Sequence, residues 1–396
     1  MTSRTAMIIV LTLMWFAALD HCGVWCHKLS GTEKLNLRRQ LKRLSKPAVT
    51  TIQTKYGDTY DCVDFYEQPA FDHPLLKDRK YEFQMSSSRA SNQKVNIDGS
   101  GIDPFDIWVN GKGCPSNTVP IRKMKPKELI KANMAAKLAY NISADSSQGI
   151  HEFAILQTTG QNRYYGGGMI ASVYNPQVEK TQYSSSRVKF QNGPDSIAVG
   201  WTVNPSLYSD GETRLFIYTI TKDSQCYNTY CPGFILLTED IPLDLLLKPY
   251  STVGGASFEK KLFVYKDPAN GNWFLQIGKD NMTVGTWPQK IFTGLSDSAN
   301  YVEWGGEVYG PVGTTLPPMG ASALPTKHRL DSDCYGIQVT VINDQQEVDY
   351  DPPSLKPYNS SPRNYYLLDE GNHGDVFQRI ILFGGVNDYP VNENIL

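Results

Sequence analysis

The residues of this chain best suited to chemistry are two glutamates in a short apolar segment, Glu303 and Glu307. Residues 301–308 read YVEWGGEV. In an extended strand the two acids share one face, while Val302 and Trp304 lie on the other. Carboxylates can act as general acids or bases, and neighbouring glycines let a bound peptide approach closely. The alternative is an ordinary solvated strand face.

Motifs for other catalytic systems do not occur in the chain. Residues 254–257 (GGAS) have the wrong spacing for a nucleophilic serine turn. The glycine run at 166–168 opens no predicted helix, so it favours tight sheet packing or a close-approaching ligand over phosphate binding. Because there is no Cys-x-x-Cys pair and the six His are scattered, we expect no metal and no cofactor.

Composition and the N-terminal residues indicate a secreted globular protein. The 396 residues are 40% hydrophobic with a net charge of −2, which gives no reason to expect a nucleic-acid partner. An apolar run at 6–19 follows Arg4, as in a signal peptide, so we assign residues 1–26 to a leader. No later run reaches about 18 apolar residues, and the mature form should have no membrane partner.

The cysteines and sequons fit an oxidising compartment. Cys226 and Cys231 can close a short loop, and Cys62 with Cys114 is a plausible second bridge. Cys334 is then either free and buried or paired with a retained Cys26. Surface glycans are expected at three Asn-x-Ser/Thr sequons, headed by Asn141, Asn281 and Asn359.

The elements before residue 150 are mixed. Ser30 and Glu33 form a capping box that opens a cationic amphipathic helix, and Pro47 stops it. This helix either has a solvated charged face or docks on an acidic surface of the same molecule. Residues 84–101 are polar and predict an exposed loop. Pro126 starts a second helix, predicted to connect to the next domain and to offer lysines for tryptic nicking.

From His151 onward, short strands predominate and predict an all-β, antiparallel two-sheet β-sandwich. One hairpin joins residues 262–265 to 273–277 through Asn270-Gly271. The other predicted strands are 153–158, 169–174, 197–203, 214–221, 337–342 and 379–383.

Two ordered groups of motifs run through nearly the whole chain. The first comprises YDCVD at 60–64, QPAFDHPLL at 68–76, CP at 114–115 and TVPIR at 118–122. The second comprises HEFA at 151–154, GWTVNP at 200–205, TRLF at 213–216, CYN at 226–228, CPGF at 231–234, VGTWP at 284–288 and WGGEV at 304–308. Together they resemble the neprosin family of plant glutamic peptidases, the first group resembling its activation peptide.

The resemblance implies a zymogen in which an α+β activation-peptide region, residues 27–140, covers the cleft of a β-sandwich peptidase domain, residues 141–396. Family activity is endopeptidase cleavage at proline in acid. Two glutamates share one proton, one holding a water as general base and the other polarising the peptide carbonyl. Glu307 matches the second of these acids.

The first acid is missing. In the family it stands three residues before a Trp, whereas this chain reads IAVGW and has Ala198 there. Glu303 is about 13 Å along the strand from Glu307, too far to share a water. The other acids considered as replacements are Asp195, which should point away, and the loop residues Glu179, Asp210 and Glu212.

We therefore predict a neprosin-like protein whose proteolysis is weak or lost, because losing one acid of a pair removes most of its activity. The alternatives are an acid endopeptidase with a relocated acid, or a non-catalytic binder of proline-rich chains or carbohydrate. Expected partners are proline-containing peptides or cell-wall proteins and the chain's own pro-region, which acidification should release. The expected location is the extracellular space, the apoplast or the vacuole. The residues expected to bind substrate are Tyr164, Tyr165, Trp201 and Trp304, with core packing favoured for at least two of the tryptophans.

Overall fold

The computed structural model describes residues 31–77, 107–140, 149–326 and 329–386. The leader, the polar segment 84–101, Cys26 and Asn141 lie outside the described residues. Among the described residues, no helix is both long and apolar enough to cross a membrane.

The N-terminal region, defined as the described residues up to 140, is a small α+β unit. It contains helix α1 (Gly31–Leu44), strands β1 (Ala48–Gln53), β2 (Thr59–Asp64) and β3 (Thr118–Arg122), and helix α2 (Pro126–Tyr140). The strands form one antiparallel sheet in the order β1-β2-β3. Short 3-10 turns follow β2 at Phe65–Glu67, Pro69–Asp72 and Pro74–Leu76.

Helix α1 is held by its apolar stripe. Leu37 and Leu41 are buried against Leu129 and Ile130 of α2, as the spacing of one helix face requires. Gln40 adds a polar contact, since its Nε2 donates to the carbonyl of Tyr230 at 2.9 Å. The helix therefore docks on the same molecule through leucines and an amide side chain.

The remainder of the chain forms two antiparallel sheets. The strands are β4 (Gly149–Thr158), β5 (Gly166–Ser172), β6 (Tyr183–Asn192), β7 (Asp195–Val203), β8 (Thr213–Ile220), β9 (Gln225–Tyr227), β10 (Ile235–Leu236), β11 (Glu259–Lys266), β12 (Trp273–Ile277), β13 (Met282–Trp287), β14 (Tyr301–Pro311), β15 (Met319–Gly320), β16 (Cys334–Ile342), β17 (Val348–Asp349), β18 (Leu355–Asn359), β19 (Tyr365–Asn372) and β20 (Arg379–Gly385). Short helices α3 (Pro205–Tyr208) and α4 (Gly374–Phe377) and a 3-10 turn, Gln289–Ile291, lie in connections.

One sheet has seven strands, in the order β18-β4-β14-β6-β7-β8-β9. The other has ten: the path β10-β13-β12-β11-β5-β16-β20-β15, with β17 paired to β16 and β19 to β20. The predicted two-sheet antiparallel β-sandwich is confirmed, and so is the hairpin, in which Val264 pairs with Leu275.

The core lies between the two sheets and includes buried tryptophans from both. Trp304 of β14 donates its indole N–H to the carbonyl of Gly168 in the facing sheet at 3.1 Å. Trp201 of β7 donates likewise to Ser172 at 2.8 Å. These bonds satisfy the indole N–H groups in an apolar interior. Glu303 and Glu307 lie on the opposite face of the seven-stranded sheet.

Candidate active site

Glu307 lies near the middle of the seven-stranded sheet, on β14 between β4 and β6. Val302 and Trp304 are fully buried in the inter-sheet core. Glu303 and Glu307 are on the other face, and they are only 4% and 6% exposed. The alternation predicted for residues 301–308 is therefore present, but the acids are not solvated.

Arg187 of β6 binds both glutamates. Its Nε lies 2.7 Å from Oε2 of Glu307, and its Nη1 donates to Oε1 of Glu303. Arg187 is opposite Gly305, which stands between the two glutamates on β14. Since diagonal neighbours in a sheet are within reach of long side chains, one guanidinium can hold both acids. Glu303 and Glu307 are thus linked, through an arginine that the sequence analysis did not single out.

The other oxygen of Glu307 is also occupied. Oε1 accepts from the hydroxyl of Tyr183 at 2.5 Å and lies 3.1 Å from Nδ1 of His151. Tyr309 packs against both, with ring centroids 5.6 Å from Tyr183 and 4.8 Å from His151. Aromatic packing therefore fixes the two groups that bind this oxygen.

These contacts set the charge of both glutamates. Burial alone would raise the pKa of Glu307, but the Arg187 charge and the hydrogen bonds from His151 and Tyr183 outweigh it. The net pKa lies well below its usual range. The pKa of Glu303 is also lowered, because the charges of Arg187 and Lys189 lower it more than burial raises it. Both carboxylates stay ionised in mild acid.

Ala198 lies on the same face, on β7. It pairs with Lys189 of β6, and its neighbour two residues on, Gly200, pairs with Arg187. A line from Glu307 through Arg187 to Ala198 thus crosses three adjacent strands diagonally. Ala198 is in one row with Lys189 and Glu303, so Glu303 is nearer to it by register than Glu307, which lies four residues further along the sheet.

Helix α2 covers the Ala198 position. Ala132, Ala135 and Ala136 form one buried cluster with Ala198 and neighbouring aromatic side chains of β8 and β9. Tyr218 of β8 donates its hydroxyl to the carbonyl of Ala136 at 2.8 Å. The N-terminal region therefore occupies this part of the sheet face.

The acids considered as replacements for Ala198 have other partners. Oδ2 of Asp195 accepts from the backbone N–H of Thr293 at 2.6 Å. Asp210 pairs with Arg214 at 2.8 Å, and Glu212 with Lys248 at 2.9 Å. The side-chain partners described for Glu307 are Arg187, Tyr183 and His151, and Glu179 is not among them.

The four residues expected to bind substrate lie elsewhere. Trp201 and Trp304 are 1% and 0% exposed in the inter-sheet core, and Tyr164 belongs to the same core. Tyr165 is half-buried at the start of β5 in the other sheet, with the Arg163 guanidinium 5.6 Å over its ring. The two tryptophans and Tyr164 therefore pack in the core, as large aromatic residues often do, and the prediction that they line a groove is wrong.

The cysteine pairing is confirmed. Cys62 is bonded to Cys114 and Cys226 to Cys231. Cys334 is free and buried within the part of the chain that the structure describes. Of the sequon asparagines, Asn281 is exposed, whereas Asn359 is half-buried and its side-chain oxygen accepts from the Leu367 N–H at 2.8 Å.

A second ionic cluster, the Arg214–Asp244 cluster, joins the N-terminal region to the sandwich. Arg214 of β8 makes two hydrogen bonds to Asp58, of 2.9 and 3.0 Å. Asp244 accepts from the hydroxyls of Tyr60, at 3.1 Å, and Tyr230, at 3.2 Å. Asp58 and Tyr60 come from the N-terminal region, so this buried cluster spans the contact between the two parts.

Comparison with known proteins gives two family matches. Residues 180–386 match the family model described as Neprosin, and residues 51–157 match that described as Neprosin activation peptide. A solved scytalido-glutamic peptidase with a transition-state analog inhibitor is 9% identical, with 60% of this chain and 98% of that chain covered and a TM-score of 0.32. The Ruminococcus gnavus IT-sialidase CBM40 bound to alpha2,6 sialyllactose is 11% identical, with 41% and 89% covered and a TM-score of 0.21.

Proposed function

The chain belongs to the neprosin family, and we propose that it is a secreted binder of proline-containing chains whose proteolytic activity is weak or lost. The observation that carries the proposal is the ion pair between Arg187 and Glu307, at 2.7 Å. A dyad that shares one proton needs two carboxyl groups close enough to disfavour double ionisation. Here the position expected for the second carboxyl group is Ala198, and the charged group that Glu307 contacts is a cation.

The charge state argues against Glu307 as a general acid. An acid that polarises a carbonyl must hold a proton at the working pH, so enzymes raise the pKa of such groups. Arg187 instead holds the pKa of Glu307 below its usual range, against the effect of burial. Proton donation from Glu307 would require much stronger acid.

The contacts of Glu307 also make it a weak general base, because the groups that lower its pKa lower its affinity for the proton of a water. A base that activates water needs an oxygen within hydrogen-bond reach of that water. Arg187 binds one oxygen of Glu307, while Tyr183 and His151 contact the other. The nearest acid on the same strand, Glu303, is bound to the same arginine and cannot serve as an unpaired partner.

The surface under α2 supports a binding role. Phe216, Tyr218 and Tyr227 are buried beside Ala198 in the cluster that the α2 alanines cover. The Tyr218 and Tyr227 ring centroids are 4.5 Å apart. Aromatic-lined grooves are a recurrent means of binding proline-rich segments. Displacing α2 would uncover such a surface on the Ala198 side of the sheet.

The test uses the secreted chain, nicked with trypsin at the exposed lysines of α2, Lys127 and Lys131, and purified away from the N-terminal fragment, so that residues 132–140 lose the rest of their helix and its packing. A pool of labelled proline-containing peptides is assayed for cleavage by mass spectrometry at about pH 3, and for binding by fluorescence anisotropy. We expect binding without cleavage, weakened by Tyr218→Ala and unchanged by Glu307→Gln. Cleavage after proline that disappears in Glu307→Gln would show that another acid replaces Ala198.

A further inference from the structure

The outer face of the ten-stranded sheet carries a groove that the proposed function does not use. It has a volume of about 230 Å³ and crosses strands β12, β11, β5 and β16. Phe263, Gln276, Gln338, Thr340 and Tyr350 are among the residues that line it. The groove is separated from the acids by the inter-sheet core.

The last glycine of the 166–168 run, Gly168, helps to form this groove. Phe263 pairs with Gly168 on one side and with Gln276 on the other, and Gly168 pairs in turn with Thr340. These four residues lie in one row, so their side-chain directions share a face of the sheet. A Cβ at Gly168 would clash with the carbonyl oxygen of Leu262 and lie 3.0 Å from the Phe263 ring, so the glycine lets β11 and Phe263 approach β5 closely beside the groove.

One end of the groove is formed by Asn281, the head of the sequon Asn281-Met282-Thr283. Asn281 is exposed and ends the turn between β12 and β13. The backbone N–H of Gly278, in the same turn, donates to the carbonyl of Lys261 at 3.0 Å. This bond fixes the turn beside the groove, so a group attached to Asn281 begins at the groove.

We propose that the groove holds the first sugar of an N-linked glycan carried by Asn281. Its lining combines an aromatic ring, Phe263, with amide and hydroxyl groups from Gln276, Gln338 and Thr340. Apolar surface with a few placed polar groups is the usual composition of a small-ligand site, and it suits the C–H face and hydroxyls of a hexosamine. Covalent attachment at Asn281 keeps the sugar at high local concentration.

The experiment uses the full chain secreted from cultured eukaryotic cells. Glycopeptide mass spectrometry measures occupancy of Asn281, and urea titration measures the unfolding equilibrium constant. The variants form a double-mutant cycle of Phe263→Ala with Asn281→Gln. We expect Phe263→Ala to raise the unfolding constant about 2- to 10-fold more with the glycan present than without it, as for a typical aromatic packing contact.

Tyr265→Ala is the matched control, because Tyr265 is the next outward-facing aromatic on β11 and does not line the groove. Its effect should be the same with and without the glycan. If Phe263→Ala does not fold, the half-buried Gln276 replaces it as Gln276→Ala, with the same expected sign. Equal effects in both backgrounds, or secreted protein with Asn281 unmodified, overturn the proposal.

Discussion

At the scale of single residues, the charge on Glu307 depends on a side chain 120 positions away in the sequence, Arg187. The sequence singles out Glu307 and Ala198 because both fall within short motifs that resemble the neprosin family, and their catalytic roles stay predictions. It could not identify Arg187, because only the pairing of β6 with β14 brings the two together. Trp201, Trp304 and Tyr164 were expected in a groove and lie in the core, because an aromatic residue in a strand can face either the core or a groove.

Replacing Arg187 with glutamine tests how far this one side chain controls the site. Removing one partner of a buried ion pair costs about 3–5 kcal/mol of unfolding free energy. The loss should be greatest at neutral pH and smaller in acid. In the wild type, the lowered pKa of Glu307 stabilises the fold at pH values above the usual titration range of a glutamate. In Arg187→Gln, burial raises the pKa of Glu307, so protonation of this side chain in acid restores stability. Urea titration at several pH values measures this.

Arg163→Gln is the control for Arg187→Gln, because the ion pair of Arg163 with Asp297 is more than half exposed on both sides. Exposed pairs contribute about 0–1 kcal/mol, so this variant should stay close to the wild type. If Arg187→Gln loses no more unfolding free energy than Arg163→Gln, Arg187 does not hold the site in the way described.

At the scale of elements, helix α2 has a role that its sequence did not reveal. The pattern after Pro126 predicted a connector, and the helix is present over Pro126–Tyr140. Its alanines cover Ala198, but small apolar residues on a helix do not indicate what they pack against. Strand β6 (Tyr183–Asn192) was not predicted, although residues 187–190 (RVKF) alternate polar and apolar side chains as a half-buried strand does. By contrast, the alternation in β14 could be predicted from the sequence.

Placing an arginine at Ala135 should weaken the docking of α2. Ala135 is 3% exposed against the sheet, and forcing a larger side chain into a packed site costs about 1–3 kcal/mol. The open population of the helix should then rise about 5- to 100-fold, and trypsin should nick it correspondingly faster. Met134→Arg is the control, because Met134 is 43% exposed. Equal nicking rates for the two variants would show that α2 is not held by this face.

At the scale of the whole molecule, the Arg214–Asp244 cluster couples the packing of the N-terminal region to pH. Burial raises the pKa of Asp244 to about 6, although Arg122 and Arg214 oppose it. A raised pKa means that the packed state binds this proton more tightly than the unpacked state. Acid therefore favours packing through Asp244. The expectation that acid releases the N-terminal region stays a prediction, and it requires other carboxylates to outweigh this one.

Asp244→Asn should flatten part of the pH dependence of stability. In the wild type the stabilisation from Asp244 is present at low pH and is lost as pH rises through about 6, an effect of about 2–3 kcal/mol. The variant should lack this loss when urea titrations at about pH 4.5 and 7 are compared. Asp344→Asn, on an exposed turn, serves as the control. If the unfolding free energy changes with pH equally in Asp244→Asn and in the wild type, the prediction is contradicted.

Peptide cleavage at about pH 3, compared for nicked wild type, Ala198→Glu, Arg187→Gln and the double variant, shows whether Ala198 and Arg187 together suppress proteolysis. A glutamate placed at 198 would be directly opposite the half-buried Lys189 and a diagonal neighbour of the buried Arg187, so the single Ala198→Glu variant should form an ion pair and stay inactive. We expect proline-directed cleavage by the double variant alone. Its cleavage rate should be at least about 100-fold above that of the wild type and of either single variant. Comparable cleavage by the wild type would contradict this expectation.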